Sequence, residues 1–70
     1  MMPLLMARRG ETNKISAVRG KDEIKRFLAN LGFVEGSDVT VISEIDGNLI
    51  VNVKDARIAL SKQMAAKIFI

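Results

Sequence analysis

The apolar positions of this chain follow a helical period in one stretch and an alternating period in most of the rest. Over Asp22 to Leu31, Ile24, Phe27, Leu28 and Leu31 stand at i, i+3, i+4 and i+7. That spacing gathers four large side chains on one helical stripe, so all four are expected to pack inward. Lys21, Asp22, Lys25 and Arg26 fall mostly off the stripe, toward water. Asp22 and Glu23 occupy the first turn, where the positive end of the helix dipole favours carboxylates. Gly32 follows the last stripe residue, where a left-handed terminating residue is needed and a Cβ would strain the backbone. Phe33 is then placed to fold back on the helix, and Gly36 marks a second turn.

From Ser37 onward the period becomes two. Val39, Val41 and Ile45 alternate with Thr40, Ile42 and Glu44, and Leu49, Val51 and Val53 alternate with Ile50 and Asn52. Asp46-Gly47-Asn48 is a hairpin signal. A two-residue loop would pair Val41 with Asn52, whereas a three-residue loop pairs Ile45 with Leu49, Ser43 with Val51 and Val41 with Val53. The second register keeps one face apolar and is the one expected, because a slip of one residue turns every side chain over. A two-residue loop at Lys54-Asp55 next pairs Val53 with Ala56, Val51 with Ile58 and Leu49 with Leu60. Ser61 is a suitable N-cap for a short turn through Ala66, with Met64 and Ala65 inward. Lys67 to Ile70 forms a last strand whose partner is the strand beginning near Thr12.

The N-terminal part is less regular. Leu4, Leu5 and Met6 fit one helical turn that caps the core, and Arg9-Gly10-Glu11 reads as a turn. Thr12 to Val18 is a first strand in which Ile15 and Val18 share a face only across a bulge. The elements together make a mainly β domain with one inserted helix, a small, partly open barrel of about five strands. A five-stranded sheet with a helix on one face is the alternative.

Composition narrows the functional classes. Seventy residues are expected to form a single domain, residues 1–70. There is no Cys and no His, hence no disulfide and no structural zinc site of the usual ligands. The apolar run at the N-terminus is too short for a signal sequence or a membrane span, so a soluble, cytoplasmic protein without direct membrane insertion is expected. The net charge of +3 comes from Lys and Arg scattered along the chain, which is the pattern of a solvated surface. The only aromatic residues are Phe27, Phe33 and Phe69, each in an apolar pattern, and Phe27 is committed to the helix stripe.

The helix with its LGFVEG exit, followed by SDVTVI, GNLIVNV and RIALSKQMAAKIFI, resembles the FeoA family, small SH3-like proteins of bacterial ferrous iron transport. The resemblance runs from about Pro3 to Ile70. It rests on Leu31, Gly32, Phe33 and Gly36 at the helix exit, Val39 and Val41 in the next strand, Ile58, Ala59 and Leu60 before the terminal turn, and Ala65 and Ile68 after it. Many members have a longer loop where this chain has Asp46-Gly47-Asn48. The resemblance implies an SH3-like barrel and an accessory role toward a FeoB-type transporter, a membrane protein with a cytosolic GTP-binding domain. It also implies neither transport nor catalysis by the domain itself. The same domain accompanies iron-dependent transcription regulators as an interaction module.

The residues agree with a non-enzymatic reading. With no His, Cys or Tyr, a Ser or Lys nucleophile would need a base that the chain barely offers. Each glycine is isolated at a turn, so there is no phosphate loop and no cofactor is expected. Ferrous iron usually takes His with carboxylate; only carboxylate pairs, Asp22 with Glu23 or Glu44 with Asp46, are on offer, and no metal site is expected. The expected activity is partner binding, through Lys21, Lys25 and Arg26 on the polar face of the helix and Phe33 and Val34 at its exit. Of the last two, Val34 is the stronger candidate, because an apolar residue in a turn is less readily explained by packing. Two other readings compete. A small basic barrel can bind single-stranded nucleic acid, but that needs aromatic and basic residues on one face, so nucleic acid is not the expected partner. Exposed strand edges also allow a homodimer.

Overall fold

The computed structural model covers residues 1–70. After a single 3-10 turn at Leu4–Met6, the chain forms β1 (Thr12–Lys14), β2 (Ala17–Val18), α1 (Asp22–Leu31), β3 (Asp38–Ile45), β4 (Asn48–Val53), β5 (Ala56–Ser61), α2 (Lys62–Ala65) and β6 (Ile68–Phe69). One sheet has the order β1-β3-β4-β5 and the other pairs β2 with β6. All neighbours are antiparallel. This is the expected mainly β, SH3-like barrel with one inserted helix, with six strands in place of about five.

The additional strand comes from the first one. The irregularity foreseen between Ile15 and Val18 is a corner at which the chain leaves one sheet for the other. Thr12, Asn13 and Lys14 pair with Thr40, Val39 and Asp38, while Ala17 and Val18 pair with Phe69 and Ile68. Ile15, at the corner, is buried, and its amide and carbonyl bond to Ser37 O and Gly36 N, each at 2.9 Å. Beyond β6, Ile70 exchanges two backbone bonds with Met2, of 2.8 and 2.9 Å, so the last strand is flanked on its other side by residues 2–3.

The first hairpin departs from the expected register. Ile45 faces Asn48, so the loop is the two-residue Asp46-Gly47, with φ of 50° and 80°. Both values are positive, as the primed turns that match strand twist require. The objection to this loop was the pairing of Val41 with Asn52. A bulge between Val41 and Ser43 removes it: Val41 pairs with Val51 and Val39 with Val53. The extra residue at Ile42 thus restores the apolar face that the shorter loop would have turned over. Ile45 is left outside the core, at 56% exposure. The second hairpin matches expectation throughout, with Val53, Val51 and Leu49 opposite Ala56, Ile58 and Leu60.

Twelve apolar residues are buried, and no polar residue is. Leu4, Leu28, Phe33, Val51 and Ile68 are among the most deeply packed. Ser61 caps α2 as foreseen, its Oγ accepting from the Met64 amide at 3.2 Å, with Ala65 buried and Met64 half-buried. Phe27 is the exception on the α1 stripe: it is 51% exposed. Leu28 is the one fully buried residue of the stripe, with Ile24 and Leu31 partly buried to one side of it. Phe27 lies about 100° round the axis from Leu28, beyond Leu31, where the narrow contact has already ended.

Candidate functional site

The exit of α1 is built by Gly32. Its φ of 110° ends the helix, its amide bonds back to Ala29 and Leu28, and the Phe33 amide bonds to Leu28 O at 3.0 Å. This termination turns the Phe33 ring into the core, where it is 1% exposed. The next residues cannot swing freely. Val34 N bonds to Gly32 O at 3.0 Å, Ser37 N to Val34 O at 3.1 Å, and Gly36 N to Ile15 O at 2.9 Å. Val34 is therefore held at the surface, 36% exposed, by a loop anchored at both ends.

Between this loop, α1 and β2 runs an open groove of about 530 Å³. Ala17 and Val18 form one wall, Lys25 and Ala29 the other, and Phe33, Val34 and Glu35 close it. Five of the seven lining residues are hydrophobic, with Lys25 and Glu35 supplying one charge of each sign. In its two-stranded sheet β2 pairs only with β6, so its second edge is not taken by a strand.

Three of the five residues expected at a partner site meet here. Lys25 and Val34 line the groove openly, whereas Phe33 is buried and shapes its floor from beneath. Lys21 is the N-cap of α1, and neither it nor Arg26 lines the groove. Arg26 sits about 160° round the helix from Leu28, directly away from the core. The polar helix face and the helix exit are thus two surfaces that share Lys25. Ala17, Val18, Ala29 and Glu35 were not singled out from sequence. Ala29 stands four positions after Lys25, on the same flank of α1, and both are exposed.

A second, polar cleft of about 760 Å³ crosses the outer face of β3, β4 and β5, with Val53 its one hydrophobic lining residue. Thr12 and Thr40 share a hydroxyl bond of 2.8 Å there, Lys14 pairs with Asp38 at 3.0 Å, and Arg57 donates to Asn52 at 3.3 Å. These groups largely satisfy one another in water. No group of three or more His, Cys, Asp and Glu side chains is placed to hold a metal ion. Of the carboxylate pairs considered, Glu44 is taken up by Lys62 at 3.1 Å. Phe27 is exposed rather than committed to the core, and Phe69 is half-buried with the Arg19 guanidinium 5.0 Å from its ring centroid. No helix is long and apolar enough to cross a membrane.

Comparison with known proteins agrees with this architecture. The family model of the FeoA domain matches residues 2–70. Among solved structures, the FeoA of Stenotrophomonas maltophilia complexed with zinc is 27% identical, with a TM-score of 0.83 over 97% of this chain and 87% of that one. It is described as a procaryotic SH3 domain protein suggested to act as a ferrous iron transport activating factor. An iron uptake regulatory protein (FeoA) superposes with a TM-score of 0.86 at 20% identity, covering 96% of this chain and 91% of that one, a likeness of fold. The T. acidophilum IdeR is 25% identical, with a TM-score of 0.83 over 96% of this chain but 32% of its own. Comparison with curated proteins gives no match.

Proposed function

This chain belongs to the FeoA domain family, and on that premise we propose that it is a non-enzymatic accessory protein of ferrous iron transport. In this reading it works in the cytoplasm by docking on the cytosolic, GTP-binding part of a FeoB-type transporter. Any nucleotide and any iron pathway belong to the partner. The supporting observation in this chain is the groove between β2 and α1. It is apolar and open, it is framed by an anchored loop, and the strand beside it has an edge without a strand partner. An extended segment that adds to such an edge gains backbone hydrogen bonds, while an adjacent apolar groove selects its side chains.

The description of the S. maltophilia protein as a suggested transport activating factor supports the same assignment. Val34→Asp tests it. The substitution places a charge in the groove at a residue already in contact with water. Capture of the cytosolic domain of a FeoB-type transporter should fall by tenfold or more while thermal unfolding moves little, on the order of the ±0.5 kcal/mol usual for surface changes. Undiminished capture would refute the assignment of this groove.

A further inference from the structure

The strand edges of the two sheets are unequal. β1 is three residues long and carries Lys14, β2 is two residues long, and β6 is flanked by residues 2–3. β5 ends the four-stranded sheet with six residues, paired only with β4 in an unbroken register from Val53–Ala56 to Asn48–Ser61. The closing pair of a two-residue hairpin is hydrogen-bonded, and bonded and unbonded pairs alternate from there. Val51–Ile58 and Leu49–Leu60 therefore use their backbone groups within the hairpin, while Arg57 and Ala59 turn theirs away from β4. No loop or cap bond takes these groups up, and both residues are exposed. Proteins keep such edges apart with a Pro, a bulge, a central Lys or an inward charge. Residues 56–60 have none of these, and Arg57 near one end is their only charge.

We propose that this edge pairs with the same edge of a second copy, antiparallel about a two-fold axis at Ile58. The two free residues then meet each other. Arg57 of each copy faces Ala59 of the other, and every open N–H and C=O of the four residues finds a partner. This self-match selects a second copy as the occupant, because an isologous contact needs one strand that complements itself. The side chains fit the same register. On the inner face Ile58 meets Ile58 and Ala56 meets Leu60, and no like charges stand opposite each other. Moving the axis to Ala59 would set Arg57 against Ser61, where the chain already turns into α2. The dimer is one continuous sheet of order β1-β3-β4-β5-β5-β4-β3-β1. It uses no residue of the groove between β2 and α1 and is independent of any transporter.

Sedimentation velocity of the protein alone, from micromolar to millimolar concentration, tests the proposal and should show a reversible monomer–dimer equilibrium. Ala59→Glu sets a carboxylate opposite Arg57 twice in each dimer and should tighten association roughly three- to tenfold, whereas Ala59→Lys opposes like charges and should weaken it by a similar factor. Ala59 is exposed, so the melting temperature of the dilute protein should move little in either variant. Met6→Ser, at the exposed N-terminal turn, should leave association unchanged. In a mixture of isotope-labelled and unlabelled protein, Hα–Hα contacts should join Ile58 to Ile58 and Ala56 to Leu60 between copies, as in unbonded antiparallel pairs. Three results would overturn the proposal: a monomer at every concentration, association weakened by both charges at Ala59, or association lost in Met6→Ser and unaltered by the Ala59 variants.

Discussion

Gly32 and Lys54 pack against each other where the exit of α1 meets the turn between β4 and β5. A Cβ placed on Gly32 would lie 2.8 Å from Lys54 Cγ and 3.3 Å from Lys54 Cβ. Both residues are in left-handed backbone, with φ of 110° and 50°. The helix exit that frames the groove is thus seated on a hairpin turn from the opposite part of the barrel. Gly32→Ala meets two costs at once, a strained φ and a close contact with a side chain. It should lower unfolding free energy by about 1–3 kcal/mol in urea titration. Lys54→Gly should recover part of that loss in the double variant, because the two residues share one contact and are not additive.

The Lys54-Asp55 turn carries a second prediction. Both residues have positive φ, 50° and 63°, yet neither is Gly or Asn. Two-residue hairpin loops of this shape strongly prefer Asn-Gly. Lys54→Asn with Asp55→Gly should therefore stabilise the domain by about 1 kcal/mol, a rise in Tm of roughly 4–8 °C for a domain of this size. Differential scanning calorimetry reads this directly, and an unchanged or lower Tm would contradict the turn assignment.

Neighbours on α1 should behave oppositely. Leu28 is fully buried, so Leu28→Ala should cost about 2–5 kcal/mol. Phe27 and Ile45 are more than half exposed, and Phe27→Ala or Ile45→Ala should stay within about 0.5 kcal/mol of the parent. A large loss at Ile45 would restore the three-residue loop that places it in the apolar face.

Asn13 offers a gain. It lies opposite Val39 in β1, and its amide nitrogen is buried without a hydrogen-bond partner. A buried unsatisfied donor costs about 1–3 kcal/mol. Asn13→Val, whose branched side chain also suits a strand, should raise stability by about 1 kcal/mol in denaturant titration.

The parts of the fold that sequence reasoning reached are those where one periodicity ruled. The ten-residue helix, its Gly32 stop, the second hairpin register and the Ser61 cap each follow from a pattern with one physical solution. The first hairpin did not, because two devices can rescue an apolar face: lengthening the loop, or inserting a bulge. The chain uses the bulge at Ile42, and no residue type there announces it. Phe27 was misplaced because periodicity gives the direction of a side chain but not the width of the surface that receives it. The groove was only half legible for a similar reason. Lys25, Phe33 and Val34 are close in sequence, whereas Ala17 and Val18 reach them through the barrel closure of β2 on β6, a contact that no local pattern encodes.

The central claim is that the groove between β2 and α1 is where this domain meets its partner. Amide chemical-shift mapping on the labelled protein, titrated with the cytosolic domain of a FeoB-type transporter, tests it most directly. The account predicts shifts concentrated at Ala17, Val18, Lys25, Ala29, Val34 and Glu35. Shifts concentrated instead at Thr40, Asn52 and Arg57 in the polar cleft, with the groove silent, would contradict it.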